Sequence, residues 1–313
     1  MNAHRIYIQG AAQISTQDPL SEDWIQHPVV SDELFVRSQD PNFRDWLSPL
    51  ESRRMGLLMK RALVTAMKVM RDTGVGCPDA IITGTGLGCI ENTERFLEQL
   101  CREGEQMLKP TYFMQSTHNT VSSLIAIHCG CHGYNTTYSH RGTSFDAALM
   151  DAVTQLHLGD ITTALVTGND ELTPSYFRIL QRAGYLGQPG QVAAAGASMA
   201  MMLTTAADGA LCEVESVGVG TLDQLPAVDD VDGMVLGTNG LADNDAVYET
   251  IARRMPGAFR FDYKRLFGEG YSASALGLYA AAHLVAQGKV RRMLFVNHGD
   301  GLHLTYVILR RVS

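Results

Sequence analysis

One tight corner, His140-Arg141-Gly142-Thr143-Ser144, is the place in this sequence best suited to present a reactive side chain. Residues 134–139 ahead of it are rich in Thr and Tyr and read as a strand. Residues 145–158 behind it carry Phe145, Ala148, Leu149, Ala152, Val153 and Leu156 at helical spacing. A strand that turns directly into a helix lifts a side chain onto the corner, where the helix N-terminus favours negative charge. That arrangement activates a nucleophile, yet the corner carries Gly142, which has no side chain. Three other residues have the type for acyl transfer or hydrolysis by a non-standard route: Cys89 at a strand end, Ser144 at the helix start, and His303 as a base. His118 beside Asn119 has the type of a base, but no nucleophile is identifiable near it, and it reads as hydrogen-bonded structure.

Other stretches invite ligand readings and answer them poorly. His128-Cys129-Gly130-Cys131-His132 is not the C-x2-4-C spacing of structural zinc, and no second ligand pair follows, so small buried thiols at a helix end are expected. Gly84-Thr85-Gly86-Leu87-Gly88 would need a glycine at Cys89 for the dinucleotide fingerprint and a G-K-[ST] for a P-loop. It reads as close backbone packing at a strand end. Asp170-Glu171 could do acid–base work, but neighbours on an extended segment point in opposite directions, which favours a structural role. No cofactor is called for.

The elements that must hold these residues alternate. Strands are expected at 5–8, 80–83, 134–139, 163–168, 196–203, 211–219, 291–296 and 304–310. Helices are expected at 52–73, 91–103, 121–128, 145–158 and 243–254. The polar segment up to about residue 49 reads as a long surface excursion. Such alternation is α/β, and 313 residues suffice for one large domain or two halves of one. A net charge of −8 without a basic tract argues against nucleic acid. No signal peptide or membrane-spanning run is visible, so the cytoplasm and reduced thiols at the six cysteines are expected.

The corner resembles the nucleophile region of the β-ketoacyl synthases of the thiolase superfamily. There a G-P-N-Y-S-I-S-T-A-C-type strand ends on a catalytic Cys, and a helix with a late A-V-x-Q follows. Laying Gly133 on the family's Gly and Ala152-Val153-Thr154-Gln155 on the helix brings the Cys position onto Gly142 without a gap. Gly84–Gly88 resembles the family's G-T-G-x-G segment, and Asn169-Asp170-Glu171 stands where a G-G-x-E-x segment sits near the active-site floor. The family's two catalytic His residues lie in N-A-H-G-T and K-S-x-x-G-H-T-x-G-A-x-G. The first motif matches 236–240 and puts Asn239 at the His position. The second matches 266–277 and puts Tyr271 at the His position and Leu266 at the Lys, with Lys264 and Arg265 close by. The late G-F-G-G-T loop is replaced by residues 297–303.

The resemblance implies a thiolase-like fold: two duplicated βα halves, 1–205 and 206–313, forming a layered α-β-α-β-α core. With Cys, His and His replaced by Gly142, Asn239 and Tyr271, it implies a chain that does not condense by itself. It looks like a chain length factor, closest in wording to those of aryl polyene and flexirubin-type pathways. Such a subunit pairs with an active ketosynthase that elongates chains on an acyl carrier protein, and it shapes the acyl tunnel. By resemblance Tyr112, Phe113, Met114, Gln115, Thr117 and His118 are candidates for the tunnel wall or subunit interface; ordinary core packing is the other reading of Tyr112, Phe113 and Met114. A homodimeric protein binding acyl chains or a carrier is a further class.

Overall fold

The computed structural model describes residues 4–312 apart from 227, 229 and 300–302. In chain order the first part holds β1 (Ile6–Ile14), α1 (Pro49–Ser52), α2 (Leu57–Thr73), β2 (Ala80–Gly84), α3 (Ile90–Glu103), α4 (Pro110–Gln115), α5 (Thr120–Cys129), β3 (Tyr134–Tyr138), α6 (Ser144–Leu158), β4 (Thr163–Asp170), α7 (Pro174–Arg182) and β5 (Ala197–Thr204). The second part holds β6 (Cys212–Gly220), β7 (Gly233–Leu236), α8 (Ala242–Arg254), β8 (Phe259–Asp262), α9 (Tyr263–Phe267), α10 (Ala273–Ala286), β9 (Arg292–His298) and β10 (Leu304–Arg310).

The strands lie in the order β3-β2-β4-β5-β1-β6-β10-β9-β7-β8. Read outward from the β1–β6 junction, each side has the same plan. Two antiparallel steps come first, β1–β5–β4 and β6–β10–β9. Two parallel steps follow, β4–β2–β3 and β9–β7–β8. The junction is a short antiparallel pairing of Ile6, Tyr7 and Ile8 with Val214, Glu213 and Cys212.

Helices α6 and α10 occupy the middle of the molecule. Thirteen residues of α10, all but Ala286, are buried, as expected for a helix that is apolar all round. Its small side chains let it approach closely: a Cβ on Gly168 of β4 would lie 2.6 Å from the Cβ of Ala275. Phe145, Leu149 and Leu156 of α6 share this central core with Leu276, Tyr279 and Phe295. Outside the first five strands α2 and α5 cover a second cluster around Leu63, Leu165 and Met202. Outside the other five, α8 puts Tyr248 and Ile251 against Leu294 and Ile308. The layers therefore run α-β-α-β-α. Strands β4 and β5 are almost wholly buried because helices cover both faces.

Several expectations are corrected. The first strand runs to Ile14, because its ladder with β5 continues to the pair Ile14–Ser198; the buried Gln13 side chain is satisfied by the carbonyls of Asp18 and Ser21. The excursion behind it is anchored: Trp24 is 3% exposed, and Leu47 is buried. The helix expected from residue 52 starts at Leu57, because a Ser48–Glu51 capping box starts a separate short helix, α1, ahead of it and Gly56 caps α2. β7, β8, α7 and α10 were not expected; the two strands are four residues each, too short for a period to show. Among the described residues no helix is long and apolar enough to cross a membrane.

Candidate functional site

The corner at the start of α6 is assembled on the ends of β2 and β3. Gly84 has to be glycine, since a Cβ there would lie 2.4 Å from the Cα of Phe145. The backbone turns at Arg141, whose φ of 52° falls in the left-handed region. That conformation costs a non-glycine residue about 1 kcal/mol, so the surrounding contacts must hold it. Ser144 is fully committed to holding the turn. Its hydroxyl donates to the Arg141 carbonyl (2.6 Å) and accepts from the His140 amide (2.8 Å). Asn297, at the end of β9, donates to the Gly142 carbonyl (3.2 Å) and to the buried carboxylate of Asp146 (2.6 Å).

The space where a Gly142 side chain would stand is open among the described residues, with none of their atoms within 4 Å of an ideal Cβ. Gly142 also lies outside the positive-φ glycines. Gly142→Ala is therefore expected to stabilise the chain by about 0.4–1 kcal/mol by stiffening the unfolded state, read as a small rise in Tm. Gly142→Cys is expected to fold equally well and to take up no acyl group from an acyl thioester, because Asn239 and Glu269, which stand at the family's two His positions by motif, are bound to each other. An acyl adduct on the introduced thiol would contradict this.

Asn239 follows β7. Its backbone amide and that of Gly240 donate to Asp245 in the first turn of α8. Its side-chain Nδ2 donates to Glu269 Oε2 at 2.9 Å, and Lys264 Nζ donates to the same oxygen at 2.9 Å. Burial pushes the Lys264 ammonium down, but the charge of Glu269 outweighs it and holds the ammonium above its ordinary value. Asn239 Oδ1 accepts from Asn244, whose own Oδ1 lies 2.8 Å from His298 Nδ1. A polar chain thus runs from Lys264 through Glu269, Asn239 and Asn244 to His298, next to Asn297 and the corner.

Tyr271 is elsewhere in this arrangement. It packs on the glycine loop after β2, where a Cβ on Gly86 would lie 2.6 Å from the Tyr271 Cβ and 3.2 Å from the Arg141 Cα. The residue beside Asn239 is Glu269. Lys264 and Glu269 are five residues apart, the same separation as Lys and His in K-S-x-x-G-H. Counted from Lys264, that motif puts Glu269 at the second His position. Sequence reading missed this pair because it anchored the motif on the later glycines. The spacing of Lys264, Gly268 and Glu269 was the available signal.

The glycine loop is tied down from inside the protein. Asp170, at the end of β4, accepts from the amides of Gly86 (2.9 Å) and Leu87 (2.7 Å), and from the hydroxyls of Thr85 (3.0 Å) and Ser272 (2.5 Å). The anion these amides hold is a carboxylate of the chain itself. Burial pushes the Asp170 carboxyl up and these hydrogen bonds oppose the shift. Glu171 points the other way and accepts from the Glu91 amide at the start of α3 (2.8 Å). The two carboxylates are structural.

Burial lifts Glu171 from an ordinary 4.5 to about 7 and Asp146 from 3.8 to about 6. A carboxyl whose pKa is higher folded than unfolded binds more protons in the folded state between the two values. Its contribution to stability is therefore lost as pH rises from about 4 through about 7. For Glu171 this amounts to on the order of 3 kcal/mol. Glu171→Gln keeps the acceptor for the Glu91 amide and is expected to flatten the fall in Tm between pH 5 and 8. A fall of the same size in the variant would show that Glu171 is not its source.

The non-standard nucleophiles are not activated. Cys89 is buried, and desolvation with the nearby Glu171 and Asp170 charges pushes its thiol up to about 12. Ser144 has no base. His303 and His118 are exposed, the latter standing over Gly88. In the 128–132 run, burial holds the Cys131 thiol at about 12. Among the described residues no group of three His, Cys, Asp or Glu is placed to hold a metal. Of the loop expected at 297–303, residues 300–302 lie outside the described residues.

The 112–118 candidates are on the surface, which overturns the core reading. Phe113 is 58% and Met114 69% exposed. Phe113 touches Phe96 of α3 (ring centroids 5.4 Å apart), and Arg95 and Lys109 sit over Tyr112. Gln115 braces α4, accepting from Asn92 and donating to the Arg54 carbonyl. Thr117 pairs with Thr120 at the start of α5.

A search of curated proteins returns no match. Solved structures match over the whole chain. The ishigamide ketosynthase/chain length factor superposes with a TM-score of 0.79 at 17% identity, covering 99% of this chain and 100% of that one. The AntDE:AntF assembly, a type II PKS acyl-carrier protein in complex with its ketosynthase bound to the hexaketide, gives 0.82 at 12% identity, with 99% and 100% covered. The ketosynthase ApeO in complex with its chain length factor ApeC, from Xenorhabdus doucetiae, gives 0.73 at 14%, with 99% and 98% covered. At such identities the likeness is one of fold, and it agrees with the layered, thiolase-like architecture. In sequence, residues 22–232, more than half of the chain, match the family described as "Beta-ketoacyl synthase, N-terminal domain". The chain belongs to the β-ketoacyl synthase family.

Proposed function

We propose that this chain is a chain length factor: a ketosynthase-like subunit without condensing activity of its own, which pairs with an active β-ketoacyl synthase and shapes the tunnel for the growing acyl chain. The observation that carries the reading is the glycine at the nucleophile position. Gly142 meets no described atom within 4 Å of an ideal Cβ, and the partner positions hold Asn239 and Glu269 bound to each other, with Lys264 on Glu269. A condensing site stabilises the oxyanion formed on decarboxylation with neutral or positive donors. Here the Glu269 carboxylate would face that anion, and Asn239 can donate a hydrogen bond but cannot carry a proton. We take 1–205 and 206–313 as the two halves of the duplicated unit, on the strength of the repeated strand plan.

Surface features support a partner. β3 is the edge strand at one end of the sheet, and the helices before it expose Phe113, Met114 and Ile127, the last 80% exposed. Apolar side chains of this size on a surface mark an interaction site when they gather. The partner would be a ketosynthase that carries the Cys-His-His set and receives acyl groups from an acyl carrier protein. The wording of 116–121 and 131–142 supports an aryl polyene or flexirubin-type pathway, in the cytoplasm.

The test is a condensation assay with malonyl-loaded carrier protein, run with this chain, with a ketosynthase encoded beside it, and with both co-expressed. Turnover is expected from the pair alone. An acyl adduct or turnover on this chain by itself would overturn the reading.

A further inference from the structure

A cleft of about 460 Å3 opens at the opposite end of the sheet from β3, between the edge strand β8 and the irregular segment 24–30. Its floor is Trp24, Phe261 and Leu284. The Trp24 ring lies 5.7 Å from Phe261, tilted at 47°, and its Nε1 donates to the Tyr279 hydroxyl (3.3 Å), so the indole is fixed in place. At the rim stand Phe259, 40% exposed, and Val30, 73% exposed.

The rim is held in position. The buried Gln17 clamps Val29 from both sides: its Oε1 accepts from the Val29 amide (2.8 Å), and its Nε2 donates to the Val29 carbonyl (2.9 Å). The same Nε2 donates to the carbonyl of Leu266, on the other wall (2.9 Å). One buried amide thus ties both walls together, and the apolar side chains beyond it are presented to solvent by a rigid backbone.

Two cations line the opening, Arg265 and Lys289. Both are exposed, and neither makes an ion pair among the described residues. The one carboxylate in the lining, Asp262, is already engaged by Thr238 and Arg260. On a chain of net charge −8, the cleft therefore offers uncompensated positive charge beside an aromatic floor. Its volume falls in the range of small-molecule sites, which pair an apolar lining with a few placed polar groups.

We propose that this cleft binds a small amphipathic organic anion, with its apolar body against Phe259 and Phe261, above the buried Trp24, and its acidic head at Arg265 and Lys289. The site is independent of the corner and of the chain-length-factor reading. The ligand class follows from the lining: an aromatic floor takes a ring or a short chain, and the cations select a carboxylate or sulfonate over a neutral head.

The probe is 8-anilinonaphthalene-1-sulfonate titrated into the full-length protein. Saturable one-site binding is expected, with displacement by decanoate and at least tenfold weaker displacement by decanol. The chain has two tryptophans, so energy transfer to the probe in a Trp46→Phe variant reports on Trp24. Transfer should persist there. Arg265→Glu with Lys289→Glu should weaken binding at least tenfold at unchanged Tm, while Phe113→Ser with Met114→Ser should leave it unchanged. The proposal is overturned by non-saturable binding, by equal displacement with decanol, by indifference to the double charge reversal, or by loss of binding in the Phe113/Met114 variant. Tighter binding of an extended acidic peptide than of decanoate would also overturn it, in favour of strand addition at β8.

Discussion

If this chain pairs with a ketosynthase as proposed, Phe113→Asp combined with Met114→Asp is expected to dissolve that pair while leaving this chain folded. Both side chains lie mostly in solvent in the isolated chain, so replacing them removes little core contact. Surface substitutions of that kind change stability by about 0.5 kcal/mol or less. In the complex the same positions would be buried. Truncating a buried interface anchor costs about 2–4 kcal/mol, and a carboxylate left unpaired there costs several more. Two such changes weaken association by at least about a thousandfold at 1.4 kcal/mol per tenfold. Co-purification should fail, and condensation by the mixture should fall to the level of the partner alone. Gln115→Ala makes a useful contrast. Its amide braces α4 against Asn92 and Arg54, so its loss should lower Tm and affect pairing only through α4. Retained pairing in the double Asp variant would place the interface away from α4.

Asp170→Ala is expected to be the most damaging single change in the first half of the chain. The carboxylate is buried and accepts from two backbone amides and two hydroxyls, and so joins three separate segments: the glycine loop, β4 itself and the turn before α10. Removing it leaves four donors without their partner, two of them on the buried Thr85 and Ser272. Each unsatisfied group costs about 1–3 kcal/mol. Partial relaxation brings the total to roughly 4–6 kcal/mol, a large share of the 5–15 kcal/mol typical of a domain. Asp170→Asn keeps one acceptor but turns an NH2 towards the Gly86 amide, and roughly half of that loss is expected. Urea denaturation reads both. A shift in the Asp170→Ala midpoint equivalent to less than 1 kcal/mol would show that the loop amides find other acceptors. Because Ser272 and Gly86 flank Tyr271, the surviving fold should also lose definition at the corner.

Much of this protein was legible in one dimension. The strand–corner–helix unit is local in sequence, and its period changes from two to 3.6 across a few residues, so β3, the bend and α6 could be placed within a residue or two. The absence of a nucleophile at Gly142 is a matter of identity at one position and needs no coordinates. Composition and alternation were enough for the α/β class. The same holds for β10, matched at both ends, whose continuous apolar run is the ordinary mark of a buried strand.

What only the tertiary structure decided are properties of pairs distant in sequence. Glu269 stands beside Asn239 because β7 and the turn after α9 meet over thirty residues of chain, and no local pattern encodes that meeting. Lys264 is a charged residue buried in the fold, and its burial is tolerable because Glu269 lies within 2.9 Å. Alternation on an extended segment already favoured a structural role for Asp170, but only the fold shows that its partners are the amides of the glycine loop. Phe113 and Met114 have the hydrophobicity of core residues, and only packing shows that their helix leaves them outside. Hydrophobicity along a chain says which side chains seek cover. Which neighbour supplies it, or whether a second chain must, depends on contacts that form when the sheet closes around α6 and α10.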